Sequence, residues 1–187
     1  MIWLVKRTGL RPAKMVEIEV NEHENILNTL RILIPTKKRR NIKALIRNFP
    51  ITLKDATTFK HYAVSRLQYL SVMASFGFAI KESNALFLGV SGRPIKKTSL
   101  ERDFARIVDR ADFGDEQVCL SMFRHRFITI DVIIHLKEFM QASGKGRQGM
   151  TILDCESVLK RVSVKTGHGS PDSLWHYIDL AWDEIEV

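Results

Sequence analysis

The sequence predicts a mainly α fold with one small antiparallel β-sheet, an α+β arrangement. Two observations lead to it. Between Thr57 and Phe76 the apolar residues recur at helical spacing, so that Phe59, Tyr62, Ala63, Leu67, Leu70 and Met73 share a face. One stretch reads as a hairpin instead. Leu27 to Ile34 is apolar and β-branched, Pro35-Thr36-Lys37-Lys38-Arg39-Arg40-Asn41 is its turn, and Ile42 to Ile46 is the return strand.

The remaining elements follow in order. Residues 1–9 read as the end of a helix stopped by Gly9. Pro12 opens a short helix running to about Ile18, because proline suits a first turn whose N–H groups have no partner. Ala85 to Val90 reads as a short strand, turned by Ser91-Gly92-Arg93-Pro94. Thr98 or Ser99 caps a helix carrying Leu100, Phe104, Ile107 and Val108. A long helix covers residues 121–141. Residues 143–149 form a flexible loop, which is not a phosphate cradle because it lacks a terminal Gly-Lys-Ser/Thr and a preceding strand. Helices at about 152–164 and 171–184 complete the chain.

The chain has 187 residues, enough for one domain with a sizeable core, and is 45% hydrophobic, as globular proteins are. Its 29 Lys and Arg against 21 Asp and Glu give a net charge of +8, which points to a polyanion and first to nucleic acid. A merely soluble basic protein fits that charge as well. Cys119 and Cys155 form neither a CxxC nor a zinc spacing and read as reduced thiols of a cytosolic protein. No apolar run approaches the roughly 20 residues that span a bilayer. Met1 to Val5 is too short for a signal-peptide core and meets Lys6-Arg7 at once.

One set of residues carries chemistry. Thr8-Gly9-Leu10-Arg11, the pair Arg124-His125, and Thr166-Gly167-His168-Gly169-Ser170 followed by Tyr177 are dispersed in that order. A tyrosine hydroxyl, with a pKa of about 10, is a poor nucleophile at neutral pH. It becomes useful where cations bind the phosphate it attacks and a neighbour takes its proton. Two arginines, a histidine and a tyrosine answer that need.

These residues resemble the catalytic domain of the tyrosine recombinases, or phage-type integrases. Thr8-Gly9-Leu10-Arg11 is similar to the family's TGLR box, and the Pro35–Ile46 hairpin to the one whose turn carries a lysine. Leu86-Phe87-Leu88 with Gly92-Arg93-Pro94-Ile95 is similar to the strand and turn before the next helix. Phe123-Arg124-His125-Arg126-Phe127-Ile128-Thr129 is similar to the LRHTFAT segment, and Thr166 to Ser170 to the LGHSS box. Tyr177 follows His168 by nine residues, the family's spacing to its nucleophile. The likeness runs over nearly the whole chain. It departs from the pattern in three places. Ser121 stands where the family has histidine or lysine, Lys14 stands where a carboxylate often follows the first arginine, and residues 140–151 read as an insertion.

The resemblance implies a role for each residue. Arg11 and Arg124 clamp the scissile phosphate, which suits guanidinium because it gives paired donors and keeps its charge. Lys37, or Lys38, donates a proton to the leaving 5′-oxygen, and Lys37, Lys38, Arg39 and Arg40 grip DNA phosphates; a solvated basic turn is the plainer reading. His168 donates to the phosphate and helps orient the nucleophile, the alternative being a capping or core histidine. His125 packs and hydrogen-bonds internally rather than reacting, and Trp175 belongs to the core. Ser121 can hydrogen-bond a phosphate but carries a proton poorly. Tyr177 attacks phosphorus to give a 3′-phosphotyrosyl link and a free 5′-hydroxyl, unless it is simply a buried helical tyrosine. No metal or other cofactor is needed, and no metal-ligand spacing occurs.

The implied partner is double-stranded DNA, with self-assembly on it into a tetramer and no membrane, in the cytoplasm of a bacterial or archaeal cell. Only ten residues precede Arg11. The expectation is therefore a single catalytic domain, residues 1–187, as a fragment or remnant lacking the family's N-terminal DNA-binding domain and part of the first catalytic helix. A catalytically impaired duplex-binding module and type IB topoisomerase relaxation stand beside strand exchange as alternative functions.

Overall fold

The computed structural model describes residues 1–35, 46–80, 83–113 and 116–185. It bears out the mainly helical architecture with a two-stranded antiparallel sheet. Backbone contacts divide the chain into two compact units. One comprises Met1 and Arg11–Leu120, and the other Ile2–Leu10 and Ser121–Val187.

In the unit spanning Arg11–Leu120, helix α2 (Pro12–Met15) opens on the expected proline, with Pro12 and Met15 buried. It is shorter than the expected run to Ile18. A single turn, α3 (Ile26–Thr29), then ends at Leu30, whose φ of 48° is left-handed. Strand β1 (Arg31–Pro35) pairs with β2 (Ile46–Pro50), setting Ile32 opposite Phe49 and Ile34 opposite Arg47. The alternation buries Ile32, Ile34, Arg47 and Phe49 on one face.

Two corrections concern this hairpin. Leu27–Thr29 is helical, because the amides of Asn28 and Thr29 close a turn onto the Asn25 carbonyl. A short apolar run does not separate a helical turn from a strand by pattern alone. The described return strand runs over Ile46–Pro50, while residues 42–45 of the expected one lie outside the described residues. So do Lys37, Lys38, Arg39 and Arg40.

His23 fixes the root of the ribbon. Its Nδ1 lies 2.8 Å from the Glu19 carbonyl, and its Nε2 accepts from the Leu33 amide at 3.1 Å. A carbonyl can only accept, so Nδ1 holds the proton and Nε2 the lone pair.

Helix α4 (Leu53–Ser75) begins at a capping box, with Thr52 Oγ1 accepting from the Asp55 amide and Asp55 accepting from the Thr52 amide. It buries Ala56, Phe59, Ala63 and Arg66 along one stripe. The Arg66 guanidinium donates to the carbonyls of Ser83 and Ala85. Residues 85–90 are not the expected strand. Only isolated bridges form there, Glu19 with Ala85 and Leu88 with Pro94. The turn through Gly92 (φ 70°) folds the chain back at once, so that Gly89 and Ile95 donate across it to Arg93 and Phe87 and no ladder extends. Helix α5 (Lys97–Ala111) starts one residue before Thr98, from Lys96 and without a side-chain cap, so neither Thr98 nor Ser99 caps it.

In the other unit, α1 (Ile2–Thr8) closes on Gly9 as expected. Gly9 takes φ 59° and its amide donates to Val5 O at 2.7 Å. Helix α6 (Leu120–Ser143) buries Arg124, Ile128, Thr129, Asp131, Val132 and Leu136. The loop that follows includes a 3₁₀ turn at Arg147–Gly149.

Helix α7 (Ile152–Thr166) has a capping box of Thr151 with Asp154, and ends at Gly167 with φ 72°. A 3₁₀ turn, Pro171–Leu174, capped by Ser170, leads into α8 (Trp175–Ile185). The core of this unit joins Ile128, Val132 and Leu136 to Val158, Leu159 and Val162 and to Tyr177, Ile178, Ala181 and Trp182. Trp175, expected in the core, is only partly buried and packs at its margin. Lys165 pairs with the buried carboxylate of Asp131 and lies 5.4 Å from the Phe127 ring centroid, tying α7 to α6 just ahead of the histidine box.

Candidate active site

Arg124 sits one turn into α6, 8% exposed, and its guanidinium is held on three sides. Nη1 donates to the Gly9 carbonyl at 2.5 Å, and Nη2 to the Thr166 carbonyl at 3.3 Å. Nη2 also lies 3.1 Å from His168 Nε2. The helix-ending glycines at the two boxes explain this grip. A left-handed residue after the last turn redirects the chain, and at Gly9 it does so where the main-chain carbonyl meets Arg124. A side chain at Gly9 would overlap the Phe127 ring.

A chain of hydrogen bonds sets the tautomer of His168. Thr166 Oγ1 donates its only proton to the Val162 carbonyl at 2.7 Å. It therefore accepts from His168 Nδ1, 2.6 Å away. That leaves the lone pair on Nε2, where Arg124 donates. His168 is thus fastened to the arginine with both ring nitrogens engaged, and this arrangement leaves it no free N–H for the phosphate donation that the resemblance implied.

Tyr177, in the first turn of α8, is 3% exposed. Its Oη lies 2.5 Å from His125 Nδ1. The two rings stack with centroids 5.9 Å apart, and the His176 ring lies against the other at 3.8 Å. Burial pushes the phenol above its ordinary pKa of 10, and the positive charge of Arg124 works in the opposite direction. Of the expected residues, then, Arg124, His168 and Tyr177 come together within one unit.

Ser121 lies on the first turn of α6, one turn before Arg124, and is exposed. Arg11 belongs to the other unit. It is exposed at the N-cap of α2, where its carbonyl accepts from the Lys14 and Met15 amides, and it bears electrostatically on Arg47 of β2. Lys14 pairs with Glu17 at 2.7 Å. Sequence reasoning left one residue aside. His125 was expected to make an internal hydrogen bond, and it makes that bond to the hydroxyl of the proposed nucleophile. The available signal was its position beside Arg124. No group of His, Cys, Asp or Glu suited to a metal ion occurs among the described residues.

No family model matches the sequence, and no curated protein matches it significantly. Solved structures do match, and they define the class of fold, that of the tyrosine recombinases. XerA recombinase is similar over 97% of this chain, with a TM-score of 0.62 at 16% identity. XerH site-specific recombinase, solved as a post-cleavage complex with its palindromic difH substrate, is similar over 99% of the chain, with a TM-score of 0.61 at 18% identity. The Tn1549 transposon integrase, solved with circular-intermediate DNA, is similar over the whole chain, with a TM-score of 0.58 at 18% identity. The chain spans 54%, 42% and 56% of these three proteins respectively, about half their length. No helix among the described residues is long and apolar enough to cross a membrane.

Proposed function

We propose that the chain is the catalytic part of a DNA recombinase or integrase that cuts and rejoins strands through a 3′-phosphotyrosyl intermediate. The observation that carries this reading is the clustering of Tyr177, Arg124 and His168 in a recombinase-like fold. Attack by the Tyr177 hydroxyl on phosphorus forms one phosphate ester and breaks another. The bond energy is kept for religation, so neither metal nor nucleotide is needed. Arg124, its charge fixed by two main-chain carbonyls, meets the negative charge that grows on the phosphate. Arg11 supplies the second guanidinium and the 37–40 stretch further phosphate contacts, consistent with the net charge of +8. The partner is duplex DNA, on which copies of the protein assemble into a tetramer. Residues 1–187 act as one catalytic domain.

Incubation with a nicked suicide duplex, from which the cut fragment diffuses away, tests the proposal. The wild-type protein should accumulate a covalent adduct and Tyr177→Phe none, with duplex binding unchanged. An adduct that persists in Tyr177→Phe removes the assignment.

A second reading, an impaired duplex-binding module, is favoured by one observation, the exposed Ser121 one turn before Arg124. Serine is a poor proton carrier at that place. Under that reading Ser121→His raises cleavage; a fall in cleavage by the folded variant marks Ser121 as an adaptation.

A further inference from the structure

Tyr177 Oη has one hydrogen-bond partner among the described residues, His125 Nδ1 at 2.5 Å. The two groups differ in their access to water. Tyr177 is 3% exposed, whereas His125 is an exposed residue of α6. The hydroxyl of this buried tyrosine therefore meets an imidazole that itself reaches solvent. Burial also raises the phenol's pKa, which makes an acceptor at contact distance more necessary. The neighbouring histidine of the box is unsuited to that work, because its Nε2 lone pair accepts a hydrogen bond from Arg124 and its Nδ1–H donates to Thr166.

We propose that His125 is a catalytic residue, the proton acceptor for the Tyr177 hydroxyl. This rests on the reading of Tyr177 as the nucleophile. In the forward step the Oη–P bond forms and the P–O5′ bond breaks. The phenolic proton passes to His125 Nδ1, and the leaving 5′-oxygen takes a proton from water. The exposed imidazolium then returns its proton to solvent. In religation the 5′-hydroxyl attacks phosphorus and gives its proton to water, the P–Oη bond breaks, and the departing phenolate takes a proton from the His125 imidazolium, which has been recharged from solvent. His125 Nδ1 must carry a lone pair in the resting protein, so its proton sits on Nε2 and the phenol is the donor.

Single-turnover cleavage of a nicked suicide duplex by His125→Ala and His125→Gln tests the proposal, with binding and helical content measured beside it. Both variants should bind normally and cleave more slowly by about 10²–10⁴-fold, the range for losing a general base. Glutamine keeps a hydrogen-bonding side chain but takes no proton, so His125→Gln should stay slow. Free imidazole should restore part of the His125→Ala rate, because the site opens to solvent. A substrate with sulfur at the bridging 5′ position, whose thiolate leaves without a proton, should not restore it.

Wild-type cleavage by His125→Gln, or full rescue by the sulfur substrate, would overturn the assignment while leaving Tyr177 as nucleophile. Independently of cleavage, the ¹⁵N resonance of His125 Nδ1 should move when Tyr177→Phe removes the donor; an unmoved resonance also overturns it. A wild-type protein that forms no Tyr177 adduct at all overturns the proposed function itself, whatever that resonance does.

Discussion

The Arg124 guanidinium donates to the carbonyl of Gly9 at 2.5 Å, a bond between residues 115 apart in the sequence that lies within the proposed catalytic cluster. The Thr8-Gly9 turn is therefore a support for the arginine of a distant helix as well as the step before Arg11. Thr8 strengthens the turn, its Oγ1 donating to Leu4 O at 2.7 Å and accepting from the Leu10 amide.

Gly9→Ala should lower both stability and cleavage. The left-handed φ of 59° costs an L-residue roughly 1–2 kcal/mol, and the added methyl also overlaps the Phe127 ring. Thermal unfolding should show a lower Tm, and adduct formation should fall with it as the Gly9 carbonyl shifts from Arg124. An unchanged Tm would mean that the turn relaxes freely.

Arg124→Lys should not preserve function. One ammonium cannot reproduce a planar fork that reaches the Gly9 carbonyl with one nitrogen and Thr166 and His168 with the other. Cleavage should fall by about 10²–10³-fold, while duplex affinity changes little. Each buried carbonyl left unpaired costs about 1–3 kcal/mol, so a modest loss of stability accompanies it. Near-normal single-turnover cleavage would show that Arg124 is structural.

Thr166→Val should disturb His168 without touching it. The substitution removes the oxygen that accepts from Nδ1–H, and with it the reason for the lone pair on Nε2. A ring displaced by about 1 Å costs on the order of 10²-fold in rate. Thr166→Ser keeps the hydroxyl and should retain cleavage. Equal rates for the valine and serine variants would remove this chain from the account.

Asp154 gives a pH signature. The Lys145 hydrogen bond, then the Thr151 amide, hold its carboxyl at about 2, below the ordinary 3.8. A depressed folded pKa contributes stability that is complete above the unfolded value and lost as pH falls through the folded one. Wild-type Tm should therefore carry an Asp154-dependent decline between about pH 4 and pH 2, absent from Asp154→Asn. Parallel Tm profiles for the two proteins would contradict this.

What the sequence disclosed followed from strong local signals. Helix α4 was legible through a long periodic stretch, although of its expected face only Phe59 and Ala63 are buried while Tyr62 and Leu67 are exposed; the end of α1 and the start of α2 were legible through Gly9 and Pro12. Arg124, His168 and Tyr177 were legible through spacing, and the structure brings them together. Short apolar runs were not. Leu27–Thr29 became a helical turn and residues 85–90 a pair of isolated bridges, because four to six apolar residues fit either conformation until their hydrogen-bond partners are known. The cap of α5 was misplaced because Lys96, without a capping side chain, already had the extended backbone that starts the helix. The partnership of His125 with Tyr177 spans 52 residues of sequence, and only tertiary packing of α8 against α6 reveals it.

The chemical identity of the protein–DNA linkage tests the central claim most directly. A nicked suicide duplex carrying a label on the 5′ side of the scissile phosphate is incubated with the protein, and the adduct is digested and mapped by mass spectrometry. One labelled peptide should appear, esterified at Tyr177 through the 3′-phosphate, with a free 5′-hydroxyl on the released strand. A link to any other residue, a link to the 5′-phosphate, or hydrolytic cleavage without a link would contradict it.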